Sequence, residues 1–119
     1  MEQQSTVLQP LTFTVHLELP DSELAFAARR GESVLAGARR HGIVLPSRCE
    51  QGWCTTCAAR VLSGELDHSA AARYYESDRE ADFALICAAS ARSPLRLRTH
   101  AAAELRDHRR RCGLPAPRG

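Results

Sequence analysis

Three of the five cysteines in this chain fall within the ten-residue segment RCEQGWCTTC, at positions 49, 54 and 57. A fourth, Cys87, follows after a long gap, and together they give the spacing C-x4-C-x2-C-x29-C. Thiols react with metals and oxidants, so several of them in one short segment indicate a shared use. This cluster constrains the fold more than any other feature of the sequence, because a loop must wrap around whatever the thiols hold.

The rest of the composition is that of one globular domain. The chain has 119 residues, of which 44% are hydrophobic and 25% charged, enough for a modest core. No apolar run approaches the roughly 20 residues that span a bilayer, and the polar start MEQQSTVLQP lacks the pattern of a secretory signal. We therefore expect a soluble, cytoplasmic protein without a membrane span. In that reducing compartment, clustered cysteines hold a metal or perform redox chemistry more often than they form disulfides.

The net charge of +2 conceals an uneven distribution. Residues 1–91 carry eight arginines against twelve acids, whereas residues 92–119 carry eight against two, and there is no lysine. A basic tail is one feature of proteins that bind nucleic acid. This chain has only six aromatic residues and no basic stripe interleaved with them, so we expect no nucleic-acid partner.

The first half of the domain predicts a hairpin followed by a helix. From Leu11 to Leu19 apolar and polar residues alternate, which indicates a half-buried strand. Turn residues follow, and ELAFAA is the predicted returning strand. Ser33 is placed to cap a helix over VLAGARRH, and Gly42 to end it.

The second half adds further strands after the cysteine loop. AARVLSG and FALICAA are predicted strands, PLRLRTH alternates toward one side, and residues 76–82 suit a short helix. The tail begins as a predicted helix that must end by Pro115. The chain is therefore expected to have an α+β fold, with a small mixed sheet packed on one main helix.

Three kinds of site use clustered cysteines, and they differ in how many of these four they employ. Structural zinc usually takes two C-x2-C pairs, but only Cys54 and Cys57 form one. A dithiol redox motif requires that pair at the start of a helix, whereas strand-like residues follow Cys57. A two-iron cluster uses all four thiols, three from the loop and the fourth from Cys87 in the predicted strand FALICAA. Without the other three, Cys87 would be interpreted as a small buried hydrophobe.

RCEQGWCTTC together with Cys87 resembles the plant-type 2Fe-2S ferredoxins, which share the C-x4-C-x2-C spacing. The resemblance covers about residues 11–105 and includes GESVLAGARRHGIVLP, VLSGELDHS and LRLRTH. It implies a β-grasp fold with the cluster loop at one edge, and one 2Fe-2S cluster. It assigns Cys49 and Cys54 to one iron near the surface, and Cys57 and Cys87 to the other. Residues 1–10 are then an N-terminal extension, 11–105 the ferredoxin-type domain and 106–119 a basic C-terminal extension.

The other loop residues are interpreted through this resemblance. Gly52 is expected to adopt a positive φ and to let the backbone approach the cluster closely. Thr55 and Thr56 are small enough for the chain to wrap, with hydroxyls that bond sulfur or backbone. Trp53 either shields the cluster or faces a partner. Glu50 stands where many relatives have arginine, and its negative charge should disfavour the extra electron.

The expected function is that of a low-potential one-electron carrier and not an enzyme, because no convergent acid, base or nucleophile accompanies the cysteines. The expected partners are redox proteins bound transiently by a monomer: a photosystem or a flavin reductase as electron donor, and a ferredoxin reductase or an oxygenase as acceptor. Two alternatives stay open, namely an iron-sulfur redox sensor or cluster-assembly factor, and a structural zinc module. Cys112 is expected to be a free exposed thiol. Four tail arginines either steer an acidic partner or form a solvated helix face; they are Arg106, Arg109, Arg110 and Arg111.

Overall fold

A five-stranded mixed sheet forms the body of the structure, which is a computed structural model and describes residues 11–118. The predicted extension over residues 1–10 lies outside the described residues. The sheet contains β1 (Thr12–Glu18), β2 (Glu23–Arg29), β3 (Ala58–Ser63), β5 (Phe83–Leu85) and β7 (Leu95–Arg98), and two short strands, β4 (Leu66–Asp67) and β6 (Ser90–Ala91), pair separately. The helices are α1 (Val34–Arg40), α2 (Glu76–Glu80) and α3 (Ala102–Arg111).

The strand order in the main sheet is β2-β1-β7-β3-β5. The β1–β2 hairpin is antiparallel, with Val15 opposite Phe26, and β1 pairs in parallel with β7. Val15 and Leu17 are fully buried while their even-numbered neighbours Thr14 and His16 are exposed, so the predicted alternation is confirmed. The small sheet of β4 and β6 was not predicted, because two-residue strands leave no periodic pattern.

Helix α1 packs against β2 and begins at the predicted cap. The Ser33 side chain accepts a hydrogen bond from the Ala36 amide at 3.0 Å, which satisfies one of the free donors of the first turn. Val34, Leu35 and Ala38 form the buried face of the helix. The predicted α+β architecture, a mixed sheet packed on one main helix, is thus confirmed.

The predicted strand FALICAA is shorter than expected, and Cys87 lies outside it. Strand β5 ends at Leu85, and the chain then turns. Two hydrogen bonds explain the end of the strand: the Leu35 amide donates to the Ile86 carbonyl at 3.0 Å, and the Ala88 amide donates to the Leu85 carbonyl at 3.1 Å. Cys87 is therefore held in a turn against the start of α1, not in the sheet as predicted.

Helix α3 crosses the predicted boundary between residues 105 and 106. Leu105 and Arg109, which are four residues apart, are both fully buried, as one face of a helix requires. Burial of the Leu105 side chain contributes about 2 kcal/mol to stability. Residues on both sides of the boundary thus pack on the domain. None of the helices described over residues 11–118 is long and apolar enough to cross a membrane.

Candidate metal centre

The segment between α1 and β3 is an irregular loop that carries three of the four cysteines. Ile43 and Leu45 anchor its start in the core. Further along, the loop is paired with a second backbone segment: the Ala72 amide donates to the Gln51 carbonyl and the Arg73 amide to the Gly52 carbonyl, each at 2.8 Å. The loop is thus held near its start and at its middle before any bound group is considered.

Gly52 lies where the loop approaches its neighbours most closely. Its φ is +79°, so the expectation of a positive φ is confirmed. A Cβ atom at this position would come within 2.7 Å of the Cα and Cβ atoms of Ala71 and of the Cβ of Ala88. Glycine is therefore required here both for the backbone conformation and for the space.

The four thiols differ in exposure. Cys54 is fully buried, Cys57 is 2% exposed and Cys87 is 9% exposed, whereas Cys49 is half-buried. The resemblance assigns Cys49 and Cys54 to one iron near the surface; Cys49 is the partly exposed member of that pair, and the assignment stays a prediction. Of the four cysteines, only Cys49 gives the site an exposed edge.

Backbone amides point at the sulfur of Cys49. The amides of Gln51 and Cys54 each donate to its Sγ atom at 3.4 Å. Burial raises the pKa of the Cys49 thiol, but the amides of Gln51, Trp53 and Cys54 together lower it further, so that the pKa falls to about 7. Amides in this arrangement stabilise negative charge on sulfur, whether it is a free thiolate or bound to a metal.

Cys57 and Cys87 interact with each other. Donation from Cys57 lowers the pKa of the Cys87 thiol against the opposing effect of burial. The same interaction, reinforced by burial, raises the pKa of Cys57 above its usual range. Two thiols that are thirty positions apart in the sequence thus influence each other's ionisation in the folded chain.

The donor set fits a two-iron cluster. Four thiols are present, three of them shielded from water, and amides are directed at the sulfur of the fourth. Over residues 11–118, no three histidine, cysteine or acidic side chains lie close enough to bind one metal ion. A 2Fe-2S cluster does not require such a triplet, because it is larger than a single ion and each iron takes only two protein thiolates.

The threonines between Cys54 and Cys57 bond to backbone, one of the two outcomes expected for them. The amide and Oγ1 of Thr55 both donate to the Pro117 carbonyl, at 2.8 and 2.9 Å. Thr56 Oγ1 donates to the Arg118 carbonyl at 2.7 Å. Pro117 and Arg118, at the end of the described residues, therefore lie directly against the cysteine loop, which no pattern in the sequence indicated. Trp53 is half-buried, and its role stays a prediction.

Glu50 is part of an ion pair beside Cys49. Arg39 donates to its two carboxylate oxygens at 3.0 and 2.6 Å, and the Ser47 hydroxyl donates at 2.9 Å. Arg39, followed by Ser47, lowers the pKa of Glu50 to about 2. The carboxylate is thus ionised at neutral pH, but its charge is compensated by a neighbour that sequence analysis did not associate with it.

The tail arginines do not form one surface. Arg109 is fully buried and pairs with the equally buried Asp78 at 2.8 Å, so its inclusion among the partner-steering or solvated residues was wrong. Arg106 is half-buried, and Arg110 and Arg111 are exposed. The spacing of four residues from Leu105 was the signal that Arg109 faces inward. Cys112 is a free and exposed thiol, as predicted.

His68, which sequence analysis left unassigned, supports the strand that leads to Cys87. Its Nε2 atom accepts a hydrogen bond from the Leu85 amide at 3.1 Å. Its ring stacks on Tyr74, with ring centroids 3.5 Å apart and planes 4° from parallel. Burial, followed by the charge of Arg79, lowers the pKa of His68 from 6.5 to about 4. The neutral ring is therefore the form that fits the fold.

This environment makes stability depend on pH. Between about pH 6.5 and pH 4 the unfolded chain binds a proton at His68 and the folded chain does not, so stability is complete above pH 6.5 and falls as the pH is lowered. After allowance for the partial exposure of His68, we expect this effect to lower the free energy of unfolding by about 2 kcal/mol at the acidic end of the range. His68→Gln should flatten the decline of the unfolding midpoint between pH 6.5 and pH 4.5. Equal slopes for the two proteins would contradict the assignment.

Comparison with known proteins places the chain in a family. The model of the 2Fe-2S iron-sulfur cluster binding domain matches residues 17–92. The chain is 38% identical over 94 residues to Ferredoxin-2 of a Synechococcus species, covering 79% of this chain and 90% of that protein.

Solved structures show the same fold. Pectocin M2 aligns with a TM-score of 0.68 at 23% identity, over 78% of this chain and 34% of its own. Phthalate dioxygenase reductase, described as a modular structure for electron transfer from pyridine nucleotides to [2Fe-2S], aligns with a TM-score of 0.56 at 27% identity, over 81% of this chain and 28% of its own. The present chain thus corresponds to one part of each of these larger chains.

The fold, the cysteine loop and the family match define a β-grasp domain that binds a 2Fe-2S cluster and carries electrons. The chain belongs to the plant-type 2Fe-2S ferredoxin family, as its cysteine spacing predicted.

Proposed function

We propose that Cys49, Cys54, Cys57 and Cys87 are the four cluster ligands. The first two would bind one iron and the last two the other, as the resemblance to the plant-type ferredoxins implies. Gly52, Thr55 and Thr56 would not bind iron, but give the loop its close approach and its fixed position.

When bound, the cluster supplies reversible one-electron chemistry at low potential. The chain contributes the surroundings of that charge. The amides at Cys49 favour negative sulfur, and burial of the other three thiols keeps water from most of the site. Both effects act on the potential, since hydrogen bonds to sulfur and solvent exposure are among its determinants.

The observation that carries the proposal is the single exposed edge at Cys49, on a site that is otherwise closed. Such an edge suits electron exchange during brief encounters through small polar interfaces. We infer a carrier that is not itself an enzyme, acts as a monomer in a reducing cytoplasm, and receives electrons from a flavin reductase. The likeness to phthalate dioxygenase reductase supports an oxygenase as acceptor. A ferredoxin reductase as acceptor and a photosystem as donor stay predictions.

Electron transfer in a mixture of purified components tests this function. The purified protein is mixed anaerobically with NAD(P)H and a flavin reductase, and the visible spectrum is followed before and after addition of a one-electron acceptor. We expect the visible absorbance to bleach when the reductase is added and to recover when the acceptor is added. Neither change should occur in Cys87→Ser. Reduction by dithionite alone, with no transfer to any acceptor, would favour the redox sensor or cluster-assembly factor.

Arg39 and Glu50 are expected to shift the midpoint potential of the cluster in opposite directions. A unit charge at roughly 8 Å in a water-like medium changes the potential by on the order of 20 mV. Arg39→Gln, which leaves Glu50 uncompensated, should lower the potential, and Glu50→Gln should raise it. The double variant should lie close to the original value, since the two charges cancel. Protein-film voltammetry measures all three.

Glu18→Gln is the matched control for this series. Glu18 pairs with Arg96 at 3.4 Å and has a similar exposure to Glu50. Glu18 is in register with Arg98 on β7, which faces Arg60 on β3, so two strand spacings of about 4.8 Å and three positions along β3 separate it from Cys57. That separation exceeds the screening length of about 10 Å in moderate salt, so no shift is expected. Shifts of the same sign for Arg39→Gln and Glu50→Gln would show that charge is not the cause.

A further inference from the structure

The end of the described chain folds back over the cysteine loop. We call residues 114–118 the C-terminal strap. Its carbonyl groups at Pro117 and Arg118 accept three hydrogen bonds from Thr55 and Thr56, at 2.7 to 2.9 Å. These threonines occupy the two positions between Cys54 and Cys57. The strap therefore contacts a two-residue stretch of loop that has a proposed ligand on each side.

The strap is anchored at its start as well as at its end. Gly113 has φ +72°, and the Leu114 amide donates to the Arg109 carbonyl at 2.8 Å. The Arg109 guanidinium donates to the Pro115 carbonyl at 3.4 Å while its ion pair with Asp78 holds it in place. A buried ion pair thus fixes the direction in which the strap leaves α3.

The composition of the strap suits this role. Proline fixes φ and has no amide donor, so Pro115 and Pro117 reduce the entropy lost on ordering and leave no donor unsatisfied. Their carbonyls remain available to accept, and Pro117 accepts from the Thr55 amide and hydroxyl together. Thr55 is fully buried as a result. Without the strap, its amide and hydroxyl would have to find other partners or water.

We propose that the C-terminal strap is part of the cluster site: it positions the Thr55–Thr56 turn so that Cys54 and Cys57 are held for the cluster, and it closes that side of the site to water. This inference rests on the proposed ligand set. It also leaves Cys49 as the exposed part of the site, because the strap covers the loop at Thr55. The strap acts through the loop and does not contact iron.

Two measurements compare the full chain with a chain that ends at Gly113. Hydrogen exchange followed by mass spectrometry with fragmentation to single residues reports on the Thr55 amide, which should exchange at least about tenfold faster once its acceptor is removed. Loss of visible absorbance in excess iron chelator reports on the cluster and should be several-fold faster. The Val15 amide in the core sheet should be unchanged, which shows that the domain stays folded. Arg118→Ala removes an exposed side chain but keeps the carbonyl acceptor, so it should behave like the unmodified chain.

Unchanged Thr55 exchange and unchanged cluster loss in the shortened chain would overturn the proposal. If the shortened chain does not fold, Thr56→Val and Thr56→Ser decide in the 119-residue chain. The first removes the donor to Arg118 and should speed cluster loss, and the second keeps a hydroxyl and should restore the original rate. Equal rates for both would also overturn it. Absence of iron and sulfide from the unshortened chain would instead refute the ligand set, while the exchange of the Thr55 amide would still test whether the strap orders the loop.

Discussion

Asp78→Ala is expected to lower the free energy of unfolding by about 3 to 5 kcal/mol, because it leaves the Arg109 guanidinium buried without its counter-ion. Both side chains are fully buried in the present structure. Arg109 also donates to the carbonyls of Arg73 and Pro115 and lies over the Tyr75 ring, 4.9 Å from its centroid. One carboxylate therefore fixes a residue that joins α3, α2 and the strap.

An exposed pair on the same helix provides the control. Arg111 and Asp107 are 3.2 Å apart and more than 60% exposed, so Asp107→Ala should change stability by less than about 0.5 kcal/mol. The thermal midpoint at a fixed scan rate measures both, and each kcal/mol corresponds to about 4 to 8 °C for a domain of this size. Similar shifts for the two variants would contradict the importance given to the buried pair.

Gly52→Ala is expected to have the second large effect, on stability and on iron content together. Overpacking in a fixed structure costs about 1 to 3 kcal/mol, and a non-glycine residue in the left-handed region costs about 1 to 2 kcal/mol more. The neighbouring atoms are backbone and Cβ atoms of Ala71 and Ala88, which cannot move aside as a long side chain would. The variant should therefore bind much less iron per chain than the original.

Gly42→Ala separates the two causes. Gly42 has nearly the same φ, +76°, but a Cβ there would meet nothing within 4 Å. Gly42→Ala should lose only the stability that the unfavourable backbone conformation costs, about 1 kcal/mol, and should retain its iron. Iron content and thermal midpoint are measured for both variants. If Gly42→Ala loses as much iron as Gly52→Ala, the close approach at Gly52 is not what the site requires.

Sequence patterns predicted those parts of the fold that depend on neighbours along the chain. The alternation from Leu11 to Leu19 and the Ser33 cap are local, and both are confirmed. The end of β5 is determined by a distant residue, because the Leu35 amide donates a hydrogen bond to the Ile86 carbonyl more than fifty positions away. No periodic pattern records a bond of that kind, and Cys87 was therefore predicted in a strand.

The candidate site divides in the same way. The cysteine spacing and the positive φ at Gly52 follow from a compact motif. The partners of Glu50 and Arg109 do not, because Arg39 and Asp78 lie on other elements and only the folded chain brings them near. The bonds from Thr55 and Thr56 to the end of the chain span 62 positions. A role assigned to a side chain from its charge alone fails when the fold buries that side chain, as it does Arg109.

Iron and acid-labile sulfide per chain test the central claim most directly, with Cys87→Ser and Cys112→Ser as the matched pair. The four-cysteine site predicts about two iron and two sulfide per chain in the original protein and in Cys112→Ser, and almost none in Cys87→Ser. A colourless protein that contains zinc and no sulfide would contradict the account, as would loss of the cluster from Cys112→Ser with retention in Cys87→Ser.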